Sequence, residues 1–520
     1  MAEPARPRPR RGVEMRERVL HELGIDTIAW SADGRGFGYV ARLGRALPLG
    51  GYVRITTPAG DVLLGQVQSR RVAQSDLGTV GGPGGVALRV PVRHLEGGGR
   101  LLARIAGRRL GPLDGAAGFG DASVAPATAR DVAAHRRAEI GGSTAMELGV
   151  LTHAPGVRAD VRAAGFNRHT LLCGQSGSGK TFATGVLLEQ ILANTTLPFI
   201  VLDPNSDHVH LAELRSFEDY NRTRRVPLSR SAYERLAARY RRAASGVSIA
   251  STRPGDVALK ARFSHLTIDE QALCLRLDPI RDIEEYNLVV HLVAGMAGRN
   301  YTVADLVEAA HRTEGPVGRR LAQRIENLRV ADWRIWAAND EPAIGDTPFD
   351  RRGMVVDTGS LDDPRERAVA ALVLFGRLRR RDGRSPLLVV IDEAHDVCPP
   401  RSDDALGEAV TAHVAWAAGE GRKYGTFLLL ATQRPQKLHP NVVSQCENIV
   451  LMRVNSHTDR DHLAALFSQV PEELVQESAA FGLGEALVAG PCAPTPAMVT
   501  IGGRLSVEGG ADLPTDWARG

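Results

Sequence analysis

The residues of this 520-residue sequence best suited to chemistry are Gly174, Gln175, Ser176, Gly177, Ser178, Gly179, Lys180 and Thr181. They match the pattern G-x-x-x-x-G-K-[ST], follow a short apolar run and precede an amphipathic helical segment. The glycines let backbone N–H groups turn toward phosphate oxygens, and the start of the helix adds the positive end of its dipole. We predict that ATP binds here, with Lys180 reaching the β- and γ-phosphates and the Thr181 hydroxyl ligating Mg²⁺.

Two acids end a second apolar run, in Leu387-Leu-Val-Val-Ile-Asp-Glu-Ala-His. A buried strand would deliver both carboxylates to the edge of an open α/β sheet where ligands bind. We expect Asp392 to hold the Mg²⁺ shell and Glu393 to orient and polarise the attacking water. A lone aspartate would suit a GTPase-like switch or a kinase as well, whereas the added glutamate favours an ATP-hydrolysing motor.

Three more polar residues stand at the ends of predicted strands. Gln433 follows the run Phe427-Leu-Leu-Leu-Ala, where its amide can hydrogen-bond the γ-phosphate or the water and report their loss. Arg168 precedes the strand that leads into the phosphate loop, and Arg422 lies in Gly421-Arg-Lys-Tyr-Gly before the Gln433 strand. Phosphoryl transfer gains from an arginine that meets the developing charge, often from a neighbouring subunit. The residues alone leave open which arginine does so.

Short runs that are apolar throughout predict the sheet that must position these groups. They are typical of strands buried on both faces of a parallel sheet, and helical segments lie between them, so we expect an α/β fold. A long stretch of helical spacing separates the second run from the third and predicts a helical insertion. The runs are His169-Thr-Leu-Leu-Cys, Phe199-Ile-Val-Leu, Met354-Val-Val, Leu387-Leu-Val-Val-Ile, Phe427-Leu-Leu-Leu-Ala and Ile449-Val-Leu-Met.

Short alternating strands before this sheet predict a small N-terminal β-barrel. Two such strands flank a Pro-Ala-Gly-Asp turn within residues 51–69, which is a hairpin pattern. We divide the chain into a flexible basic tail (1–20), the barrel (21–106), a linker or insertion (107–140), two parts of the core (141–214 and 351–505) around the helical insertion (215–350), and a C-terminal tail (506–520).

The composition excludes several classes of protein. With 43% hydrophobic and 24% charged residues the chain is folded and globular, and its net charge of +4 permits a nucleic-acid partner without requiring one. Five cysteines without a C-x-x-C pair exclude a disulfide framework and a zinc site, and we expect a cytoplasmic protein without membrane spans. His395, Cys398 and His439 lack metal-ligand spacing, and we interpret them as structural.

The motifs together resemble those of the HerA branch of the HerA/FtsK ATPases. The order of parts is similar too: a small barrel, called the HAS-barrel in that family, a RecA-like core and a helical insertion. The resemblance spans most of residues 24–505. Its motifs are Asn167-Arg-His-Thr-Leu-Leu-Cys-Gly-Gln-Ser-Gly-Ser-Gly-Lys-Thr, Val201-Leu-Asp-Pro-Asn, Val390-Ile-Asp-Glu-Ala-His, Gly421-Arg-Lys-Tyr-Gly, Ala431-Thr-Gln-Arg-Pro, Val443-Ser-Gln-Cys-Glu-Asn and Asp459-Arg-Asp.

The resemblance implies roles for these residues by position. It makes Lys180 and Thr181 Walker A residues, and Asp392 and Glu393 Walker B residues. Gln433 is similar to the sensor, Arg422 to the arginine finger that reaches a neighbour's ATP, and Arg168 to a second nucleotide-contacting arginine. One loop departs from the pattern: the family commonly has His-Gly-Glu where this chain has Asn205-Ser206-Asp207, which leaves the role of that loop open.

The family also implies a homohexameric ring that uses ATP and Mg²⁺ to move double-stranded DNA through its channel. Such rings work beside a nuclease such as NurA, and bacterial members occur in anti-phage systems with nuclease or sirtuin-like effectors. We therefore expect a DNA translocase or helicase with no membrane partner. Two alternatives stay open: a nucleotide-dependent ring scaffold that assembles and activates an effector, and a conjugation or secretion ATPase.

Overall fold

The computed structural model describes residues 27–81, 87–113, 117–253, 257–344, 346, 351–381 and 383–510. The basic tail predicted at residues 1–20 lies outside the described residues, as do residues 511–520 of the predicted C-terminal tail. None of the described helices has the length and apolarity that crossing a membrane requires. All five cysteines are buried and free.

The N-terminal part of the described chain is a closed six-stranded barrel. Its strands hydrogen-bond in the order β2-β1-β7-β3-β4-β5, and β5 pairs back with β2, while β6 extends β5 as a short hairpin. Closure removes the free edges that such short strands would otherwise expose. The strands are β1 (Ile28–Ser31), β2 (Gly36–Ala41), β3 (Tyr52–Thr56), β4 (Val62–Gly81), β5 (Ala87–Ala106), β6 (Arg109–Gly111) and β7 (Phe119–Pro126).

The last barrel strand comes from the stretch that we predicted to be a linker. β7 pairs with β1 and β3, and so completes the barrel beyond residue 106. This strand is not evident from the sequence, because Ala122 is the only buried side chain in β7 and Asp121 has a φ of 51°. An alternation of apolar and polar residues is therefore almost absent.

A twelve-stranded mixed sheet follows the barrel. Its order is β13-β12-β14-β11-β15-β16-β10-β17-β18-β19-β8-β9, parallel from β13 to β17 and antiparallel from β17 to β9. The strands are β8 (Ala145–Leu151), β9 (Arg158–Arg162), β10 (His169–Cys173), β11 (Phe199–Leu202), β12 (Val247–Ser251), β13 (Val257–Ala258), β14 (Gly353–Val356), β15 (Leu387–Ile391), β16 (Thr426–Thr432), β17 (Cys446–Leu451), β18 (Glu485–Gly490) and β19 (Ala493–Ile501).

Helices cover both faces of this sheet. They are α1 (Ala129–Ile140), α2 (Lys180–Asn194), α3 (Phe217–Arg222), α4 (Arg230–Ala244), α5 (Ile268–Cys274), α6 (Ile283–Gly295), α7 (Val303–Arg312), α8 (Pro316–Leu328), α9 (Pro364–Arg379), α10 (Ala394–Val397), α11 (Ala405–Gly419), α12 (Pro440–Val443), α13 (His457–Leu466) and α14 (Glu472–Gln476). The six apolar runs of the sequence all lie in parallel strands, which confirms the α/β fold with a RecA-like core and a small barrel.

Most of the predicted insertion is helical, with one exception that joins the sheet. Helices α5 to α8 form a cluster, and Thr302 and Asp305 make a capping box at the start of α7. The same stretch also contributes β12, which pairs in parallel with β14. Two serines interrupt its Val-Ser-Ile-Ala-Ser sequence, so its apolar run is too short to mark a buried strand.

Strand order decides which side chains meet. The phosphate-loop strand β10 and the acidic strand β15 are separated by β16 alone, and all three are parallel. Their carboxyl ends therefore lie side by side at one edge of the sheet, and their amino ends at the other. Each short strand is completely or almost completely buried, which fixes the relative positions of the groups at its ends.

Candidate nucleotide site

The phosphate loop connects β10 to α2 at the carboxyl end of the sheet. Gly177 and Gly179 have φ of 70° and 98°, left-handed values that favour glycine and turn the loop toward the start of α2. Gly174 is tight for another reason, because a Cβ there would lie 2.6 Å from Ser178 Oγ. That hydroxyl is buried and has no hydrogen-bond partner among the described residues. The loop thus fits phosphate oxygens as the missing partners.

Lys180, Asp392 and Glu393 form a buried cluster opposite this loop. Lys180 Nζ donates to Asp392 Oδ1 at 3.0 Å and to Glu393 Oε1 at 2.8 Å. Burial alone would lower the pKa of Lys180, but the two carboxylates outweigh burial and raise it. Asp392 Oδ2 and Glu393 Oε2 have no hydrogen-bond partner in the described part of the chain. Asp392 Oδ2 is therefore left for a cation or a water, whereas Glu393 Oε2 has a ring nitrogen of His395 3.3 Å away.

Gln433 lies beside Glu393, as its position at the end of β16 predicts. Its Nε2 donates to Glu393 Oε1 at 2.7 Å. His395, which we interpreted as structural, also reaches this place: its Nδ1 is 3.1 Å from Thr432 Oγ1 and 3.3 Å from Glu393 Oε2. The left-handed backbone of Glu393, with a φ of 44°, turns the chain so that His395 folds back toward it. The Asp-Glu-Ala-His motif, in which the histidine follows the glutamate by two residues, could have indicated that His395 lies at the site. The criterion of metal-ligand spacing could not.

A loop after β11 adds two carboxylates to which the sequence had assigned no role. Asp203 accepts the backbone N–H groups of Asp207 and His208 at 3.0 and 2.8 Å, which curls the loop over the end of its strand. Thr181 Oγ1 donates to Asp207 Oδ2 at 3.3 Å. Carboxylate oxygens of Asp203, Asp207 and Asp392 all lie within 4.8 Å of one another. Asp207 belongs to the Asn-Ser-Asp stretch whose role the sequence left open.

The environment of these acids fits a divalent cation. Burial raises the pKa of Asp203 to about 6 despite its backbone donors. Burial, followed by the charges of Asp203 and Asp392, raises the pKa of Asp207 to about 7. Oxygen ligands are those that Mg²⁺ prefers, and Asp392 Oδ2 has no hydrogen-bond partner among the described residues. Thr181 and Asp392, which we predicted to hold Mg²⁺, both lie next to Asp207: Thr181 Oγ1 bonds its carboxylate, and an oxygen of Asp392 lies within 4.8 Å of it.

Arg168 and Arg422 lie elsewhere, at the amino ends of β10 and β16. The five residues of β10 separate Arg168 from the phosphate loop, roughly 17 Å at about 3.3 Å per residue. Both arginines bind one acid on β17: Arg168 Nε is 3.1 Å and Arg422 Nη1 2.7 Å from Glu447 Oε1. About a third of each arginine side chain is exposed. Neither can reach the phosphate loop of its own chain, and sequence reasoning had given Glu447 no role.

Comparisons with known proteins agree with this geometry. Residues 146–337 match the family model described as Helicase HerA, central domain. A probable helicase of Methanocaldococcus jannaschii, MJ1565, is 32% identical over 133 residues, which are 26% of this chain and 25% of that protein. The DNA double-strand break repair helicase HerA of Pyrococcus furiosus is 22% identical over 422 residues, 69% of this chain and 70% of that protein.

The matched segments of the three M. jannaschii relatives span only about a quarter of those proteins. Among solved structures, VirB4 of Thermoanaerobacter pseudethanolicus is 17% identical, with 69% of this chain and 96% of that chain covered and a TM-score of 0.48. The assignment of the family rests on the HerA model, on the HerA helicases and on the phosphate loop and acids described above. Residues 146–337 of the chain belong to the HerA central-domain family of the HerA/FtsK-type P-loop ATPases.

Proposed function

We propose that this chain hydrolyses ATP to move double-stranded DNA, and that it does so as a homohexameric ring. One observation carries the proposal: the residues suited to ATP hydrolysis are divided between opposite ends of one sheet. The phosphate loop, the acids and Gln433 occupy the carboxyl end, whereas Arg168 and Arg422 lie at the amino end with about a third of each side chain exposed. In the proposed ring, a head-to-tail interface would join the amino end of one sheet to the carboxyl end of the next and so unite the two sets of residues.

Each group has a task in this proposal. The loop and Lys180 bind the phosphates, which requires Lys180 to exchange its present carboxylate partners for phosphate oxygens. Glu393 orients the attacking water, and Gln433, already bonded to Glu393, shares that water or the γ-phosphate. Mg²⁺ held by Thr181 and Asp392 would offset the charge of the phosphates. An arginine from the adjacent subunit then stabilises the charge that develops during transfer.

The name of the Pyrococcus furiosus relative concerns double-strand break repair, which supports a role in DNA end processing. We extend the proposal to a nuclease or another effector, in end processing or in anti-phage defence, that receives the DNA the ring delivers.

The central test is the effect of DNA on ATP hydrolysis. The purified protein should hydrolyse ATP faster when double-stranded DNA is added at low salt, and the effect should shrink as salt rises, because phosphate contacts release counterions. Electron microscopy with an ATP analogue and DNA should show six subunits around the duplex. Hydrolysis that DNA leaves unchanged, together with no binding at low salt, would refute translocation.

A second candidate is a ring scaffold that assembles and activates an effector. The barrel favours it, because β4 and β5 are 20 residues each whereas β3 and β2 are 5 and 6. The paired backbone from Ala73 opposite His94 to Gly81 opposite Ala87 therefore extends past its neighbours as a two-stranded ribbon, which suits a docking partner. Glu393→Gln separates the candidates: a scaffold retains ATP binding, assembly and effector function, whereas a motor-dependent system loses function.

A further inference from the structure

The described C-terminal segment, Gly502–Gly510, runs across the nucleotide site of its own chain; we call it the C-terminal strap. Its backbone bonds to residues 213–215: Arg215 N donates to Leu505 O at 2.8 Å, and Val507 N donates to Glu213 O at 2.9 Å. On its other side the strap contacts the phosphate-loop helix α2. It therefore joins α2 to the loop that carries Asp203 and Asp207.

The contact with α2 is made by a fully buried arginine. Arg504 has no exposed surface, and its Nη1 donates to the backbone oxygen of Thr181 at 3.3 Å. Thr181, Gly185 and Glu189 lie four residues apart and so share one face of the helix. Gly185 admits the guanidinium, because a Cβ there would lie 2.5 Å from Arg504 Cζ.

Glu189 anchors the strap further along the same face. Its two oxygens accept the backbone N–H groups of Leu505 and Ser506, each at 2.7 Å, and the Ser506 hydroxyl at 2.6 Å. Burial raises the pKa of Glu189, although these donors oppose the change. Arg504 Nε lies 4.0 Å from Glu189 Oε1. A buried carboxylate bonded this fully holds its partners in one arrangement.

The far end of the strap contacts the loop that carries Asp203 and Asp207, which we call the acidic loop. Gly509 N donates to Asp207 O at 3.0 Å, and a Cβ on Gly509 would lie 1.9 Å from Ser206 O. The strap thus bonds to the backbones of Thr181 and Asp207, whose side chains bond to each other at 3.3 Å. We propose that the C-terminal strap fixes the Thr181–Asp207 pair and thereby sets the affinity of the nucleotide site for its divalent cation. This inference rests on the proposed ATPase function.

Arg504 and Gly509 are positioning residues in this proposal, because neither touches nucleotide or cation. Two single-methyl variants displace the strap from opposite sides: Gly185→Ala acts from α2, and Gly509→Ala acts from the acidic loop. Gly142→Ala is the matched control, since a Cβ there meets nothing within 4 Å. None of the three changes a group that could bind the cation.

The experiment measures Mn²⁺ binding by electron paramagnetic resonance in the presence of a non-hydrolysable ATP analogue, on the full chain. Both strap variants should weaken Mn²⁺ binding about tenfold, the usual effect of disturbing groups that orient metal ligands. Binding of a fluorescent ATP analogue in EDTA should stay at the wild-type level in all three variants. Mn²⁺ affinity in both strap variants equal to that of Gly142→Ala would overturn the proposal.

The melting temperature of each variant shows whether a change in Mn²⁺ binding results from general destabilisation of the fold. If an alanine variant melts early, Glu508→Gln provides a milder test, because Glu508 is one-third exposed and bonds Arg504 Nη1 at 3.1 Å. It should weaken Mn²⁺ binding in the same direction, and wild-type affinity there would count against the strap. Wild-type protein that binds Mn²⁺ and nucleotide but hydrolyses nothing would refute the proposed function alone. Wild-type protein that binds no Mn²⁺ with nucleotide would overturn the strap proposal.

Discussion

The two ends of the central sheet are built on different plans. At the carboxyl end, Lys180, Asp392 and Glu393 are buried, Gln433 is partly buried, and the four are bonded to one another within one chain. At the amino end, Arg168 and Arg422 are partly exposed and share Glu447. The first plan suits binding, which one chain can complete alone. The second suits a group kept ready for another molecule, as the proposed ring requires.

Of the changes that test this contrast between the two ends, Glu393→Gln should lower ATP hydrolysis the most. The amide keeps the shape of the carboxylate but loses the charge that polarises water, so kcat should fall by about 10⁴-fold. ATP should still bind, because the phosphate loop is intact. Steady-state hydrolysis and binding of a fluorescent nucleotide measure the two effects. A residual rate near that of the wild type would mean that the carboxyl end does not carry the chemistry.

Arg422→Ala should come next, with kcat lower by about 10³-fold and nucleotide affinity unchanged. Lys423→Ala, one residue away, is the control and should change little. Mixing Arg422→Ala with Lys180→Ala subunits should restore activity above that of either variant, because an intact arginine then meets an intact phosphate loop across an interface. If well-mixed rings of the two variants recover no activity, the arginine and the phosphate loop do not act across a subunit interface, and the contrast between the two ends fails.

Glu447→Gln should lower kcat by about tenfold while KM for ATP stays constant. The amide can still accept a hydrogen bond but no longer holds two guanidinium groups by charge, so both arginines lose their orientation. Glu447→Asp should recover part of the rate, which a merely structural role would not explain. Glu472→Gln, on an exposed residue at the start of α14, is the control.

Removal of the divalent cation should give the smallest effect, in stability. A saturating ATP analogue with Mg²⁺ should raise the melting temperature by a few degrees, since a ligand at about 100 times its Kd adds about 2.7 kcal/mol. EDTA should remove much of that rise in the wild type and in Arg422→Ala alike. Loss of the rise in Arg422→Ala before EDTA is added would show that the arginine contributes to nucleotide binding as well as to hydrolysis.

The features that could be predicted from the sequence are those formed by residues close together in the chain. The phosphate loop and the Asp392–Glu393 pair are contiguous motifs after apolar runs, so sequence located both, and Gln433 followed from strand order. Glu447 stayed without a role, because its partners Arg168 and Arg422 are 279 and 25 positions away. The Glu189–Ser506 bond spans 317 positions, and no spacing rule reaches that far. Strands β7 and β12 were hidden by small and polar residues.

The antiparallel edge of the sheet can be completed only late in the synthesis of the chain. β8, which precedes the phosphate loop, pairs with β19, with Leu151 opposite Val499 and Gly149 opposite Ile501. Thr152 and Thr500, which bond across this pair, are 348 positions apart. A ribosome that adds about 5–20 residues per second needs about 20–70 s to bridge them. Until β19 and Arg504 emerge, the nascent phosphate-loop helix lacks both its sheet edge and its anchor.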